Sequence, residues 1–174
     1  TSSASTSESA SIVTSNSDQD VAYSDDGGTN WSTYATALPG TGYDCLTYGK
    51  GLFVALDSGS TNAVTSPTGE TWTARTLPNS KTWIDIVWGN GIFVALASDT
   101  GANNMAYSID GTTWVAASTP SATATPSGLA YGQGVFVITY STSEVIIGES
   151  FDGVTWTEVT GLTDIGEKIA FGNP

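Results

Sequence analysis

Ser108-Ile109-Asp110-Gly111-Thr112-Thr113-Trp114 decides how this chain is read. Its form, Ser-x-Asp-Gly-x-Thr-Trp, returns at 150–156, where Ser150, Asp152, Gly153, Thr155 and Trp156 keep their places. At 66–72 Thr68 stands in the Asp position between Ser66 and Gly69, ahead of Trp72. Ser24, Asp26, Gly28 and Trp31 repeat the phrase with one residue inserted. The four tryptophans are 41, 42 and 42 residues apart. Self-similarity at a fixed period of this size is the signature of a repeat architecture.

The phrase has a mechanical reading. Asp-Gly between apolar runs marks a hairpin turn, because Gly accepts positive φ and Asp bonds to the backbone just after it. The Ser and Thr hydroxyls can satisfy further turn amides. Trp then enters the next strand and covers the turn from the core side. These residues therefore read as structural. The phrase resembles the Asp-box (BNR) repeat of sialidases and of many non-enzymatic β-propellers, including those of phage, virion and other extracellular surface proteins. That resemblance spans four boxes over nearly the whole chain. It implies a box on the turn between the outer two strands of each propeller blade, away from any active site.

A second phrase alternates with the first. Tyr48-Gly49-Lys50-Gly51-Leu52-Phe53-Val54 recurs as Trp88-Gly89-Asn90-Gly91-Ile92-Phe93-Val94 and as Tyr131-Gly132-Gln133-Gly134-Val135-Phe136-Val137. Each reads as strand, tight turn, strand. It is no phosphate loop, since no helix follows and the Gly fingerprint is incomplete. One repeat reads as strand A at 84–88, strand B at 92–97, strand C at 104–108 and strand D at 113–118. Such a meander of about forty residues is one blade. The same pattern covers 44–76 and 128–160.

The ends look complementary. Strands B, C and D are expected at 11–15, 21–23 and 31–36, with no strand A before them. Residues 168–172 read as a strand A with no strand B after it. The expectation is an all-β, four-bladed propeller over 11–174, closed by the C-terminal strand, because closure removes exposed sheet edges. The alternatives are that this strand completes a neighbouring molecule's blade, giving a swapped oligomer or a filament, and that the segment is cut from a larger ring, against which the complementary ends argue. Residues 1–10 are nearly all Ser, Thr and Ala and read as a flexible tether.

Composition bounds the rest. The chain has 174 residues, 17 acids against the four bases Lys50, Arg75, Lys81 and Lys168, and a net charge of −13. Such a surface repels phosphate backbones and anionic membranes, so nucleic acid is not an expected partner. No apolar run approaches the roughly 18 residues needed to span a bilayer, so membrane insertion is not expected. Cys45 is the one cysteine and there is no histidine, which rules out an intramolecular disulfide and a Cys/His zinc site. Cys45 reads as a small buried hydrophobe.

Catalysis finds little support. Without histidine there is no imidazole base. The family resemblance would imply, for a sialidase, three arginines on the substrate carboxylate; this chain has one, Arg75. The chain is therefore not expected to be an enzyme, with a glycoside hydrolase using paired carboxylates as the last-ranked alternative. The expected function is a binding or attachment module on a virion or in the extracellular space, taking a glycan or a surface receptor. The second reading is a structural assembly protein, a capsid decoration or filament subunit that contacts copies of itself or other virion proteins.

Candidate sites follow from the loop face opposite the boxes. Loops between strands D and A are expected at 37–43, 77–83, 119–127 and 161–167, and loops between B and C at 16–19, 57–62, 98–103 and 141–143. Trp83 and Tyr43 occupy corresponding places there. They are the candidate ligand-binding aromatics, able to stack on a sugar or on a partner's apolar patch; packing at the blade junction is the bland alternative. Asp18, Asp57, Asp99 and Asp164 fall on the same face and read as solvated loop acids. No cofactor is expected. A calcium ion, were one held near the axis, would take Asp44 and Asp85, since hard cations want oxygen ligands.

Overall fold

The computed structural model describes residues 11–14, 19–24, 26, 28–34, 38–141, 146–162 and 169–171. All regular structure among them is β, in four antiparallel sheets whose strands follow chain order. The first sheet joins β1 (Ser11–Thr14), β2 (Val21–Ser24) and β3 (Ser32–Tyr34). The second joins β4 (Tyr43–Gly49), β5 (Leu52–Asp57), β6 (Ser60–Ser66) and β7 (Thr73–Lys81). The third joins β8 (Trp83–Gly89), β9 (Ile92–Ala97), β10 (Met105–Ser108) and β11 (Val115–Ala117). The fourth joins β12 (Pro126–Gly132), β13 (Val135–Tyr140), β14 (Ile147–Ser150) and β15 (Thr157–Val159).

The repeated Gly-x-Gly phrase makes its hairpins by backbone sign. Lys50 and Gly51, Asn90 and Gly91, and Gln133 and Gly134 all have positive φ, between 46° and 84°. Two consecutive residues of that sign are what a two-residue hairpin turn needs to match the strand twist. The turns bring Gly49 opposite Leu52, Gly89 opposite Ile92 and Gly132 opposite Val135.

Each core lies between sheets, not within one. Val54, Leu56 and Leu77 of the second sheet pack with Trp83, Ile86, Phe93 and Ala95 of the third. Ile92, Val94, Leu96 and Met105 of the third pack with Leu129, Phe136 and Ile138 of the fourth. Val21 and Leu38 meet Tyr43, Ala55 and Val64 in the layer between the first and second. β9 therefore feeds two cores at once: Phe93, Ala95 and Ala97 point one way, and Ile92, Val94 and Leu96 the other. A strand buried on both faces reads as an unbroken apolar run, which is how Ile-Phe-Val-Ala-Leu-Ala reads.

Two expectations are corrected. The loop expected at 77–83 is mostly strand. β7 continues to Lys81, which pairs with Ser60 after a register shift between Ser60 and Asn62. Leu77, fully buried, gives that extension its core contact. The second correction is the closure. Among the described residues 169–171 belong to no sheet, and the first sheet stays three-stranded. Among the described residues no packed core joins the first and fourth sheets as one joins each neighbouring pair. Phe171 instead lies against Gly132, where the aromatic of a following blade would lie. Residues 1–10, Asp18, Asp164 and Lys168 lie outside the described residues.

Candidate functional site

The box turns are built by side chains bonding to their own backbone. In the third blade Ser108 Oγ accepts the Gly111 amide at 2.8 Å and donates to Asp110 Oδ1 at 3.0 Å. Asp110 Oδ1 accepts the amides of Thr112 and Thr113 at 2.7 and 2.8 Å. The fourth blade repeats this with Ser150, Asp152, Gly153, Val154 and Thr155. In the first, Asp26 Oδ1 takes the amides of Thr29 and Asn30, both at 2.9 Å, and Ser24 Oγ takes that of Gly28. Backbone and hydroxyl donors stabilise the ionised carboxylate. They hold Asp26 and Asp152 down at about 2 and Asp110 below the usual carboxylate range. Thr68 supplies a weaker version in the second blade, one 3.3 Å bond from the Glu70 amide.

The box tryptophans close the turns. Trp31, Trp72 and Trp156 donate Nε1 to the carbonyls of Gly28, Gly69 and Gly153 at 3.1, 2.9 and 3.3 Å. Trp114 Nε1 is buried with no acceptor among the described residues. A second aromatic set lies beneath them. Tyr48 and Phe53, Trp88 and Phe93, and Tyr131 and Phe136 stand 4.4 to 4.6 Å apart between ring centroids.

The second, third and fourth blades interlock through the same parts. A Cβ added at Gly111 would stand 2.9 Å from Leu52 Cδ2 and 3.3 Å from Val54 Cγ2, so this box turn rests on the strand of the blade before it. Gly153 rests likewise on Val94 and Ile92, at 2.8 and 3.0 Å. The Trp88 ring covers Gly49, and the Tyr131 ring covers Gly89. Lys50 Nζ donates to the Ile109 carbonyl at 3.0 Å, and Asn90 Nδ2 to the Phe151 carbonyl at 2.9 Å.

The candidate ligand aromatics fall inside this packing. Trp83 is 1% exposed, and its Nε1 donates to the Ser60 carbonyl at 3.1 Å. Tyr43 is buried beside Val21 and Leu38. Neither offers a face to a ligand; both fill blade junctions, Trp83 beside the Ser60 carbonyl that its indole bonds and Tyr43 in the layer between the first and second sheets. The acids are likewise engaged. Asp85 Oδ2 accepts the Leu129 amide at 3.1 Å and Oδ1 that of Ile86 at 2.9 Å. Asp44 is exposed, at the register shift between Tyr43 and Cys45. Among the described residues no three His, Cys, Asp or Glu side chains gather as a metal site. Asp57 and Asp99 hold turns, on Ser60 Oγ and the Thr82 amide, both at 2.7 Å. Cys45 is buried, which pushes its thiol up to about 12, with Asp85 and Asp44 adding to the effect.

The accessible features lie instead at the boxes. A crevice of about 350 Å³ opens beside the third box, lined by Tyr107, Ser108, Ile109, Asp110, Thr113 and Val115. The fourth blade has the equivalent, about 190 Å³, lined by Glu149, Ser150, Phe151, Asp152, Thr155 and Thr157. Ile109 and Phe151 are 66% and 69% exposed at the unconstrained place between Ser and Asp. The sequence reading passed over them because the box dictates nothing there. The available signal was two large apolar side chains where Asp25 and Pro67 stand in the other repeats.

Four repeated antiparallel sheets, packed face to face in chain order, define a β-propeller fold. Solved structures agree. The chain is similar to a catalytically inactive virginiamycin B lyase from Staphylococcus aureus with quinupristin, at 14% identity and a TM-score of 0.73 over 91% of this chain and 54% of that one. It is also similar to a streptogramin B lyase, at 15% identity and a TM-score of 0.65 over 87% and 54%. A third likeness is to YCF48 bound to D1 peptide, at 17% identity and a TM-score of 0.59 over 88% and 50%. The chain thus spans about half the length of the structures it matches. No family model matches it, and no curated protein does. At these identities the likeness carries the fold alone. No helix of the described residues is long and apolar enough to cross a membrane.

These findings overturn the expected function. The neighbours are a lyase and YCF48, and neither a virion nor a glycan-attachment role is among them. The buried positions of Trp83 and Tyr43 remove the residues on which that reading rested.

Proposed function

We propose that this chain is an Asp-box-type, four-bladed propeller segment that acts without catalysis, holding an extended basic polypeptide segment along its box edge. The observation that carries the reading is the pair of equivalent crevices on consecutive blades, each with an exposed apolar side chain beside a carboxylate. Asp110 and Asp152 are held ionised by their turn amides, so each crevice presents a fixed negative charge next to Ile109 or Phe151. That combination suits a segment alternating apolar and Lys or Arg side chains. The net charge of −13 draws such a segment in and raises its rate of encounter. The solved YCF48 complex holds a peptide on a propeller of similar fold, which supports the reading by analogy.

The test is fluorescence anisotropy with labelled extended peptides: alternating Leu and Lys, Leu and Glu, and Ser and Lys. The Leu–Lys peptide should bind best. Ile109→Asp and Phe151→Asp should each weaken it about tenfold, which is about 1.4 kcal/mol. Equal binding of the Leu–Glu peptide, or no loss in either variant, would sink the proposal.

A further inference from the structure

We propose that the two box-edge crevices are not interchangeable: the third blade's takes an aromatic side chain and the fourth blade's a lysine or arginine, both from the one extended segment. This rests on the peptide-holding reading above and adds what each crevice selects. The two crevices correspond place by place, and both keep the Ser, the exposed apolar residue, the Asp and the Thr of the box. They part at the remaining two places, where the third has Tyr107 and Val115 and the fourth has Glu149 and Thr157.

These two places form one wall of the crevice. Tyr107 lies directly opposite Val115 in the register of β10 and β11, and Glu149 opposite Thr157 in that of β14 and β15. Side chains directly opposite in an antiparallel pair share a face of the sheet. The third crevice is thus walled by a half-buried phenol ring and an exposed isopropyl group. Tyr107 also packs against the core between the third and fourth sheets. The fourth crevice is walled by a half-buried carboxylate and an exposed hydroxyl.

Charge separates the crevices further. The fourth is lined by two carboxylates, Glu149 and Asp152, and the third by one, Asp110. At the joint with the preceding blade, Lys50 brings an ammonium to the Ile109 carbonyl, whereas Asn90 brings a neutral amide to that of Phe151. A basic guest therefore meets two negative groups in the fourth crevice, and in the third one negative group with a cation at the Ile109 carbonyl. Coulomb attraction favours the fourth. An aromatic guest gains ring contact with Tyr107 and apolar area on Val115 and Ile109. In the fourth crevice it would desolvate Glu149 without pairing it, which costs free energy. The roomier crevice is also the apolar one, about 350 Å³ against about 190 Å³.

The second blade makes the basic arrangement from its own residues. Thr65 holds there the place of Tyr107 and Glu149, opposite Thr73. Arg75 Nε donates to Thr65 Oγ1 at 3.1 Å. A guanidinium thus lies at this register position of a box edge. The residue of the fourth blade that corresponds to Arg75 is Val159, opposite Ile147 as Arg75 is opposite Ala63. The last strand of the fourth blade therefore supplies no base to Glu149, and a guest's lysine or arginine takes the part that Arg75 plays in the second.

Backbone-amide nuclear magnetic resonance of the isotope-labelled chain tests this with two small probes, N-acetylphenylalanine amide and N-acetylarginine amide. The first should bind about fivefold tighter at 107–115 than at 149–157. The second should bind about fivefold tighter at 149–157. Raising salt from about 0.05 M to about 0.5 M should weaken the arginine probe and leave the phenylalanine probe unchanged. Glu149→Tyr with Thr157→Val should bring the aromatic preference to the fourth crevice. If that double variant fails to fold, Glu149→Gln should lose the arginine probe there while the third crevice keeps its own. Equal shifts in both crevices, or shifts in neither, would overturn the inference. If the Leu–Lys peptide binds but the probes do not discriminate, this inference falls and the peptide-holding reading stands. If the probes discriminate but no peptide binds, the peptide-holding reading falls, and the single segment with it.

Discussion

The carboxylate of Asp85 accepts the backbone amide of Leu129 at 3.1 Å, tying the inner strand of the third blade to that of the fourth. Its other oxygen accepts the Ile86 amide at 2.9 Å. Removing the side chain strands both amides in a partly buried place, at a cost of about 1–3 kcal/mol. Asp85→Ala should therefore lower Tm by several degrees, at roughly 2–4 °C per kcal/mol for a chain of this size. Asp85→Asn keeps an acceptor and should recover about half of the loss. An unchanged Tm in Asp85→Ala, read by calorimetry, would show that the tie carries no stability. Because this carboxylate is already engaged, added calcium should move Tm by less than about 1 °C relative to EDTA.

Gly153 and Gly134 share a left-handed backbone, with φ of 75° and 84°. They differ in surroundings. A Cβ at Gly153 meets Val94 at 2.8 Å and Ile92 at 3.0 Å, while at Gly134 it meets nothing within 4 Å. Gly134→Ala should cost about 1–2 kcal/mol, the price of the backbone sign alone. Gly153→Ala adds overpacking of about 1–3 kcal/mol. Denaturant melts of the two variants should rank them in that order, and the reverse ranking would refute the tight contact between blades.

The box aspartates set an acid limit. Their folded-state pKa values lie below the ordinary 3.8, at about 2 for Asp26 and Asp152 and lower for Asp110. A depressed carboxylate contributes stability that is present above pH 3.8 and lost as pH falls through its folded value. Stability should therefore drop between about pH 4 and pH 2, followed by tryptophan fluorescence. Asp152→Asn should flatten that drop. A variant with the wild-type acid profile would show that the turn amides give the carboxylate no advantage.

Cys45 offers a probe of the core between the second and third blades. Burial, chiefly, raises its thiol to about 12 from the ordinary 9. A raised thiol pKa contributes stability that is full below pH 9 and lost as pH rises towards 12. In native buffer at pH 8 the thiol should resist aromatic disulfide reagents and react fully in guanidinium. Rapid labelling of the folded chain would place Cys45 at the surface.

What the sequence made legible was whatever a short stretch determines. Ser108, Asp110 and Gly111 satisfy one another within four residues, and the turn they form follows from their chemistry alone. The alternation of turns and apolar runs located most strands to within a residue or two, but not the start of β6 at Ser60 or the end of β7 at Lys81. Trp83 was misjudged because its cover comes from afar. Ser60, twenty-three positions earlier, bonds its indole, and Lys81 pairs with that same Ser60. The closure was misjudged for the same kind of reason. Complementary ends read from the sequence do not by themselves bring those ends together: among the described residues 169–171 join no sheet and the first sheet stays three-stranded. Ile109 and Phe151 escaped notice because a turn imposes no requirement on the residue between its Ser and its Asp.

The laying of an aromatic ring on the glycine of the preceding repeat, Trp88 on Gly49 and Tyr131 on Gly89, has a consequence for how such a chain can change length. Each unit of about 42 residues presents a glycine on one side and a ring on the other, so every unit is the complement of its own copy. Duplicating or excising one whole unit brings a familiar ring onto a familiar glycine and creates no junction the molecule has not already made. The register of the gene, more than the chemistry of any new contact, then determines how many units stand in the row.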